Sequence, residues 1–176
     1  MTQKRAKNVG KIFEDNWKSS CPNNVFLYRP PDAAQSFYPN SELKFSNRSL
    51  CDFLMYDGRK LYVLELKTTL TNFTFERTED DCKRMIHWHQ IETLNKISQY
   101  PNTVSGFLLD YRNSGNTYFI GISDFLSLIN CLNKNSFTEH DMLTYSYVIE
   151  IEKKLLKVNY RYNVSKFLDD ANHMED

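Results

Sequence analysis

The feature that most limits the fold of this chain is an Asp57-Gly58 step between two apolar segments. Residues 50–56 and 60–67 are rich in Phe, Leu, Val and Tyr, residue types that favour β-strands. Asp-Gly between two such segments is typical of a β-hairpin turn, because glycine accepts the backbone angles that a tight turn requires. The sequence therefore predicts an antiparallel strand pair here, and the register of that pair decides which side chains share a face.

The rest of the chain alternates helical and strand patterns. Helical spacing of apolar residues predicts helices over residues 8–20, 86–99, 123–133 (with Ser123 as the N-cap) and 164–171. Further strands are predicted over residues 24–29, 104–111 and 117–122, and a second hairpin over residues 147–152 and 155–162 around Lys153-Lys154. This order predicts the α/β class, with a mixed central β-sheet flanked by α-helices.

Length and charge bound the organisation of the chain. With 176 residues and a mass of 20.9 kDa, it is expected to form a single domain over residues 1–176. Lys plus Arg and Asp plus Glu number 22 each, which excludes a strongly basic, histone-like protein. The charge is nevertheless uneven, because residues 1–8 form a basic N-terminal arm and residues 167–176 form an acidic C-terminal tail.

Neither a membrane span nor an export signal is predicted. The sequence contains no run of about 18 apolar residues, and its first residues lack the apolar core of a signal peptide. We therefore expect a cytoplasmic protein whose four cysteines are reduced.

The segment Glu65-Leu66-Lys67 places an acidic and a basic side chain on one face of the second predicted strand, because strand positions i and i+2 point the same way. Asp52 lies on the partner strand. A two-residue turn sets Asp52 opposite Val63, and a four-residue turn sets it opposite Glu65. Both leave Asp52 on the face of Glu65 and Lys67, whereas a three-residue turn would move it to the other face.

Two carboxylates and an ammonium group on one sheet face predict a metal site. Adjacent carboxylates repel each other, and a divalent cation removes that repulsion. Oxygen ligands favour Mg²⁺, with Mn²⁺ as a substitute. A bound metal activates water and stabilises charge on a phosphoryl group, and a neighbouring lysine would hold the attacking water. The alternative is an ordinary cross-strand salt bridge of Lys67 with Asp52 or Glu65.

Asp52, Glu65 and Lys67 across a hairpin resemble the signature of the PD-(D/E)xK nuclease superfamily. The surrounding sequence resembles the RecU Holliday-junction resolvases of Gram-positive bacteria and their phages, over about residues 8–125. The residues that carry this resemblance are Gly10, Phe13, Glu14, Asp52, Phe53, Tyr56, Gly58, Glu65-Leu66-Lys67-Thr68, His89-Gln90-Ile91-Glu92, Gly106-Phe107-Leu108-Leu109 and Tyr118-Phe119. It implies a restriction-endonuclease-like fold and a location in the cytoplasm of a bacterial cell or a phage-infected host.

The resemblance also implies a role for each site residue. Asp52 and Glu65 would ligate Mg²⁺, and Lys67 would serve the attacking water. Glu14 would be an outer acidic member that reaches the metal through water; its alternative is a solvated helix-surface glutamate. Gln90 would complete the catalytic set, and it also interrupts an apolar helical stripe, where a polar side chain needs a partner. Its alternative is a buried structural amide.

Basic residues around the acidic site are expected, because a nuclease must approach phosphates. The candidates for DNA binding are Lys4, Arg5, Lys7, Lys11, Arg48 and His89. The chain departs from RecU proteins at two places. The interval from Arg29 to Leu50 is short where that family has a junction-inserting stalk, as in a phage member with a shortened stalk. Cys51 stands where the family usually has a threonine.

Together these features predict a Mg²⁺-dependent endodeoxyribonuclease that resolves four-way (Holliday) DNA junctions. The expected partners are branched DNA, a second copy of the chain and a recombinase. A C2 homodimer is expected because symmetric incision needs two active sites. Two alternatives stay open: a nuclease that acts on other branched or duplex DNA, and a noncatalytic DNA-binding modulator of recombination.

Overall fold

The chain folds around a six-stranded mixed β-sheet. The structure is a computed structural model that describes residues 8–31, 49–81 and 83–173. Its strands are β1 (Phe26–Tyr28), β2 (Phe53–Tyr56), β3 (Leu61–Thr69), β4 (Phe73–Thr74), β5 (Thr103–Tyr111), β6 (Asn116–Gly121), β7 (Ser136–Phe137), β8 (Ile149–Glu150), β9 (Lys153–Leu156) and β10 (Asn159–Tyr162). The central sheet has the order β1-β2-β3-β5-β6-β8, with β3 and β5 parallel and the other neighbours antiparallel. β4 pairs with β7, and β9 pairs with β10, in two small sheets.

Five helices accompany these strands within the described ranges. They are α1 (Val9–Ser20), α2 (Trp88–Ile97), α3 (Ile122–Cys131), α4 (Glu139–Tyr145) and α5 (Val164–Asn172). Asn8 caps α1 by accepting the N–H of Lys11 at 3.2 Å, and Thr138 and Asp141 cap α4 reciprocally. None of these helices has the length and apolar character needed to cross a bilayer.

Helices cover both faces of the central sheet. Apolar side chains of α2, α3 and α4 form one cluster with alternate residues of β3 and β5, and those of α1 and α5 form a second cluster on the other face. Along β3, Val63 belongs to the first cluster, whereas Tyr62 and Leu64 belong to the second. Glu65 and Lys67 follow Val63 at intervals of two residues, so they lie on the α2 face. The predicted mixed sheet flanked by helices is confirmed.

The predicted start of α3 is wrong by one residue. The N-cap is Gly121 rather than Ser123, and the helix begins at Ile122. β6 continues through Gly121, which pairs with Gly106, so the chain passes from strand to helix without a loop that a serine could cap.

The last hairpin is shifted along the chain from its predicted position. Leu156 pairs with Asn159, so the turn is Lys157-Val158, and Lys153-Lys154 lies in β9. Lys157 has a left-handed backbone angle, φ 58°, without the Gly or Asn that usually marks such a turn. For that reason the turn has no local signature in the sequence.

Close packing of β5 against β6 leaves no room for a side chain at Gly106. A Cβ at this position would collide with the backbone oxygen of Ile120 and with the ring of Phe119. We expect Gly106→Ala to lower the Tm by roughly 5–10 °C, since rearranging a buried strand costs about 2–3 kcal/mol. The control is Gly10→Ala, whose Cβ would lie 3.5 Å from Asn8 Oδ1 and which should leave the Tm unchanged or slightly raised. Thermal unfolding of both variants checks this, and equal Tm values would contradict it.

Candidate functional site

The turn between β2 and β3 fixes the register on which the site depends. Tyr56 pairs with Leu61, so the loop between them has four residues. Within the loop, Asp57 Oδ1 accepts the backbone N–H groups of Arg59 and Lys60, at 2.8 Å each. Because this turn joins the end of β2 to the start of β3, its basic residues lie at the far end of the strand pair from the predicted site.

Asp52 and Glu65 meet at the other end of the strand pair. Phe53 pairs with Leu64, so the next pair along the two strands sets Asp52 opposite Glu65. This is the arrangement predicted for a four-residue turn. The backbone N–H of Asp52 donates to Glu65 Oε2 at 3.0 Å, and the N–H of Leu66 donates to Asp52 Oδ2 at 2.8 Å. Each carboxylate is therefore held by the backbone of the partner strand, and the two lie side by side.

Glu65 Oε1 contacts two further predicted members of the site. Lys67 Nζ lies 3.7 Å from it, and Gln90 Nε2 donates a hydrogen bond to it. Gln90 Oε1 accepts the N–H of His87 at 3.1 Å, which fixes the orientation of the amide. The structure thus brings together Asp52, Glu65, Lys67 and Gln90 on the α2 face of the sheet.

The electrostatics of the site centre on Glu65. Its side chain is nearly buried, with 5 % exposure for the residue. Burial, reinforced by the charge of Asp52, raises the pKa of Glu65 to about 8, although Lys67 opposes the shift. Burial, and then the charges of Glu65 and Asp52, also raise the pKa of the Cys51 thiol to about 12. The site therefore disfavours a second negative charge unless a cation accompanies it.

A carboxylate that was not predicted, Glu76, holds the start of α2. Glu76 Oε1 lies 2.9 Å from His87 Nδ1, and Oε2 accepts the N–H of Trp88 at 2.8 Å. Burial opposes ionisation, but these hydrogen bonds lower the pKa of Glu76 below its ordinary value. Glu76 thereby fixes the helix end that presents Gln90 to Glu65. It lies in an irregular polar segment, where no periodic pattern singles it out.

Glu14 contacts Arg29 rather than the two paired carboxylates. Glu14 Oε2 accepts a hydrogen bond from Arg29 Nε at 2.9 Å. Arg29 directly follows β1, whose Tyr28 pairs with Leu54, so this ion pair lies at the end of the sheet where β2 begins. No hydrogen bond between described residues joins Glu14 to the carboxylate pair, and its outer role stays a prediction.

Two of the six predicted DNA-binding residues belong to the described part of the chain. Lys11 is half exposed and forms ion pairs with Glu14 at 3.3 Å and Asp15 at 3.4 Å. The ring of His89 stacks on that of His87, with centroids 5.5 Å apart. The other four, Lys4, Arg5, Lys7 and Arg48, lie outside the described residues. So do residues 1–7 of the basic arm, 174–176 of the acidic tail and 32–48 of the short stalk interval.

The donor set at Asp52 and Glu65 fits Mg²⁺. Across residues 8–31, 49–81 and 83–173, no group of three or more His, Cys, Asp or Glu side chains is arranged to hold a metal ion. Mg²⁺ commonly takes only one or two protein carboxylates and keeps several waters. A divalent cation would also remove the repulsion that contributes to the raised pKa of Glu65.

Comparison with known proteins finds a relative in sequence and a partial likeness in structure. No family model matches the chain. The SPbeta prophage-derived uncharacterized protein YotM of Bacillus subtilis (strain 168) is 31% identical over 173 residues, which covers 92% of this chain and 85% of that protein. Hjc, a Holliday junction resolvase from the archaeal hyperthermophile Archaeoglobus fulgidus, matches 77% of this chain and 89% of its own, with a TM-score of 0.45 and 13% identity.

Without divalent cations, we expect the protein to lose stability as the pH rises from 4.5 to about 8. The pKa of Glu65 in the fold is raised from 4.5, so the protonated carboxyl stabilises the fold at low pH and this contribution is lost across that interval. The loss should be on the order of 2–4 kcal/mol, or roughly 5–15 °C in Tm. Thermal unfolding in EDTA at stepped pH measures it. Glu65→Gln, which cannot ionise, should lack this component, and identical pH profiles for the two proteins would contradict the assignment.

Proposed function

The chain belongs to the family of the SPbeta prophage-derived protein YotM, and from this premise we propose that it is a Mg²⁺-dependent structure-specific endodeoxyribonuclease. Its proposed substrate is the four-way (Holliday) DNA junction, and its proposed kinship is with the RecU-like resolvases of the PD-(D/E)xK superfamily. One observation supports this above the rest: Asp52, Glu65, Lys67 and Gln90 converge at one end of β3.

Asp52 and Glu65 would hold the metal ion. Both are oxygen donors of the kind that Mg²⁺ and Mn²⁺ prefer, and their backbone hydrogen bonds keep the two side chains adjacent. When bound, the metal would lower the pKa of a water and stabilise negative charge on a phosphodiester.

Lys67 would supply positive charge beside the metal ligands. Its Nζ is 3.7 Å from Glu65 Oε1, and its side chain is 18 % exposed, so it contacts the acid and stays partly accessible. There it would hold the attacking water or neutralise charge on the phosphoryl group in the transition state. Gln90 would keep the Glu65 carboxylate in one orientation throughout, because its amide is itself fixed by the N–H of His87.

The substrate and assembly follow from the same proposal. Two-fold symmetric incision of a junction calls for two active sites, so we propose a C2 homodimer. Lys4, Arg5, Lys7, Lys11, Arg48 and His89 remain the proposed DNA contacts, and a recombinase remains a proposed partner. The Glu14–Arg29 ion pair would border the DNA path, since it lies at the same end of the sheet as the carboxylates.

We expect wild-type protein to incise a four-way junction in Mg²⁺ and to be inactive in EDTA. Lys67→Ala and Glu65→Gln should each reduce the rate at least about 100-fold, because each removes charge or orientation needed in the transition state. Lys96→Ala is the matched control: Lys96 is 74 % exposed in the last turn of α2, and its loss should leave the rate unchanged. Rates are measured on labelled junctions, with thermal unfolding to confirm that each variant folds.

Three outcomes would redirect this proposal. Incision that survives Lys67→Ala would contradict the mechanism. Faster incision of flap or linear duplex DNA than of junctions would favour a nuclease with another DNA substrate. Tight junction binding without incision under any divalent metal would favour a noncatalytic recombination modulator.

Metal binding can be measured without DNA. At free Mg²⁺ or Mn²⁺ of 100 times its Kd, binding to the folded state alone adds about 2.7 kcal/mol, or roughly 5–10 °C in Tm. We expect this increase in wild type and its loss in Asp52→Asn. Asp57→Asn makes the same chemical change at the opposite end of the hairpin and should keep the increase. An equal metal response of Asp52→Asn and wild type would contradict the assignment of Asp52 as a ligand.

A further inference from the structure

A basic β-hairpin, formed by β9 and β10, contacts the end of the sheet that carries the candidate site. At its base Lys153 Nζ donates to Asp110 Oδ1 at 2.8 Å and to Thr117 Oγ1 at 2.6 Å. Asp110 Oδ2 accepts the hydroxyl of Thr68 at 2.9 Å. Because Thr68 directly follows Lys67 in β3, the hairpin is anchored one residue beyond the site, on the opposite face of the sheet.

The base of this hairpin is held firmly. The Lys153 ammonium lies 4.6 Å from the centre of the Tyr160 ring and 5.7 Å from that of Tyr162. Tyr162 in turn contacts the rings of Phe13 and Trp17 in α1, with centroids 5.7 Å and 5.6 Å apart. The packed inner face therefore fixes where the outer face of the hairpin points.

The outer face carries exposed positive charges. Lys154 lies directly opposite Arg161 in the antiparallel register, and both side chains are exposed. Directly opposed residues have Cβ atoms about 5 Å apart, and like charges in that arrangement destabilise a strand pair. Lys157 adds a third exposed cation at the turn. Within the described part of the chain, none of these three cations forms an ion pair with a carboxylate.

The carboxylate next to the hairpin in sequence does not neutralise it. Glu152 Oε1 lies 3.8 Å from Lys166 Nζ, and Glu152 Oε2 accepts a hydrogen bond from Asn163. Residues 153–162 contain four Lys or Arg and no Asp or Glu, in a chain whose net charge is zero. An anion bound between Lys154 and Arg161 would relieve their repulsion.

The tip of the hairpin also exposes apolar side chains beside these cations. Leu155 and Leu156 are about half exposed, and Val158 is 79 % exposed. A hairpin that exposes both cations and apolar groups fits a nucleic-acid strand, which offers a phosphate at each step and apolar sugar and base surface between phosphates.

We propose that the β9–β10 hairpin is a DNA-binding arm, in which Lys154 and Arg161 together bind backbone phosphate. This inference rests on the proposed nuclease function and adds a contact surface on the face of the sheet opposite the carboxylates. The common anchor through Thr68 and Asp110 sets the arm at a fixed distance from the site. DNA bound at this end of the sheet would then contact the site residues on one face and the hairpin on the other face.

The test compares two double variants that each remove one Lys and one Arg charge. Lys154→Gln with Arg161→Gln should weaken junction binding about tenfold or more near 0.15 M salt. It should also reduce the slope of log affinity against log salt by about 2, because two phosphate contacts are lost. Arg59→Gln with Lys96→Gln alters exposed residues at the far end of the strand pair and of α2, and should match wild type in both measurements. The hairpin variant should keep or slightly raise its Tm, since the opposed charges are removed.

The outcomes separate this inference from the proposed function. If wild type neither binds nor incises DNA, the proposed function fails. If wild type binds and incises but the hairpin variant has the same affinity and salt slope, only the arm is overturned. An unchanged salt slope together with lost self-association in sedimentation would make the hairpin a protein interface and would also overturn it. Equal loss of affinity in both double variants would mean a general charge effect, which contradicts a specific arm.

Discussion

Burial of the Glu65 carboxylate is the constraint that the surrounding structure satisfies. A carboxylate removed from water resists ionisation, and the acid nearest to it, Asp52, carries the same sign of charge. Three groups contact the Glu65 carboxylate and stabilise its charge: the backbone N–H of Asp52, the amide of Gln90 and the ammonium of Lys67. These groups come from the residue that precedes β2, from α2 and from β3, so contacts to Glu65 connect the elements that form the site.

The position of α2 depends on a second carboxylate, that of Glu76, which contacts the start of the helix. Glu76 holds His87 and the N–H of Trp88, and His87 holds Gln90, which reaches Glu65. This series of hydrogen bonds runs from an irregular loop through a helix start to the sheet. It gives the partly buried amide of Gln90, a polar residue on an apolar helix stripe, hydrogen-bond partners for both its nitrogen and its oxygen.

The two faces of the sheet end carry groups of opposite charge, although the net charge of the whole chain is zero. Acidic groups gather around Glu65 on the α2 face. On the other face, one buried ion pair, Lys153 with Asp110, anchors a hairpin whose outer cations Lys154 and Arg161 have no acidic partner in the described chain. A net charge of zero is thus compatible with strong local electrostatic fields of both signs. These local fields matter more for binding a polyanion than the net charge does.

The sequence by itself determined which side chains share a face, and only the tertiary structure decided what they touch. Strand alternation is a local property with a period of two, so it placed Glu65 and Lys67 together, and the Asp-Gly turn placed Asp52 near them. The sequence left open whether the turn had two, three or four residues, and therefore whether Asp52 shares the face of Glu65, because hydrogen bonds inside the loop settle that choice. Contacts between distant segments, such as Lys153 with Asp110 or Glu76 with His87, leave no periodic trace in the sequence, because they form only when helices and loops pack onto the finished sheet.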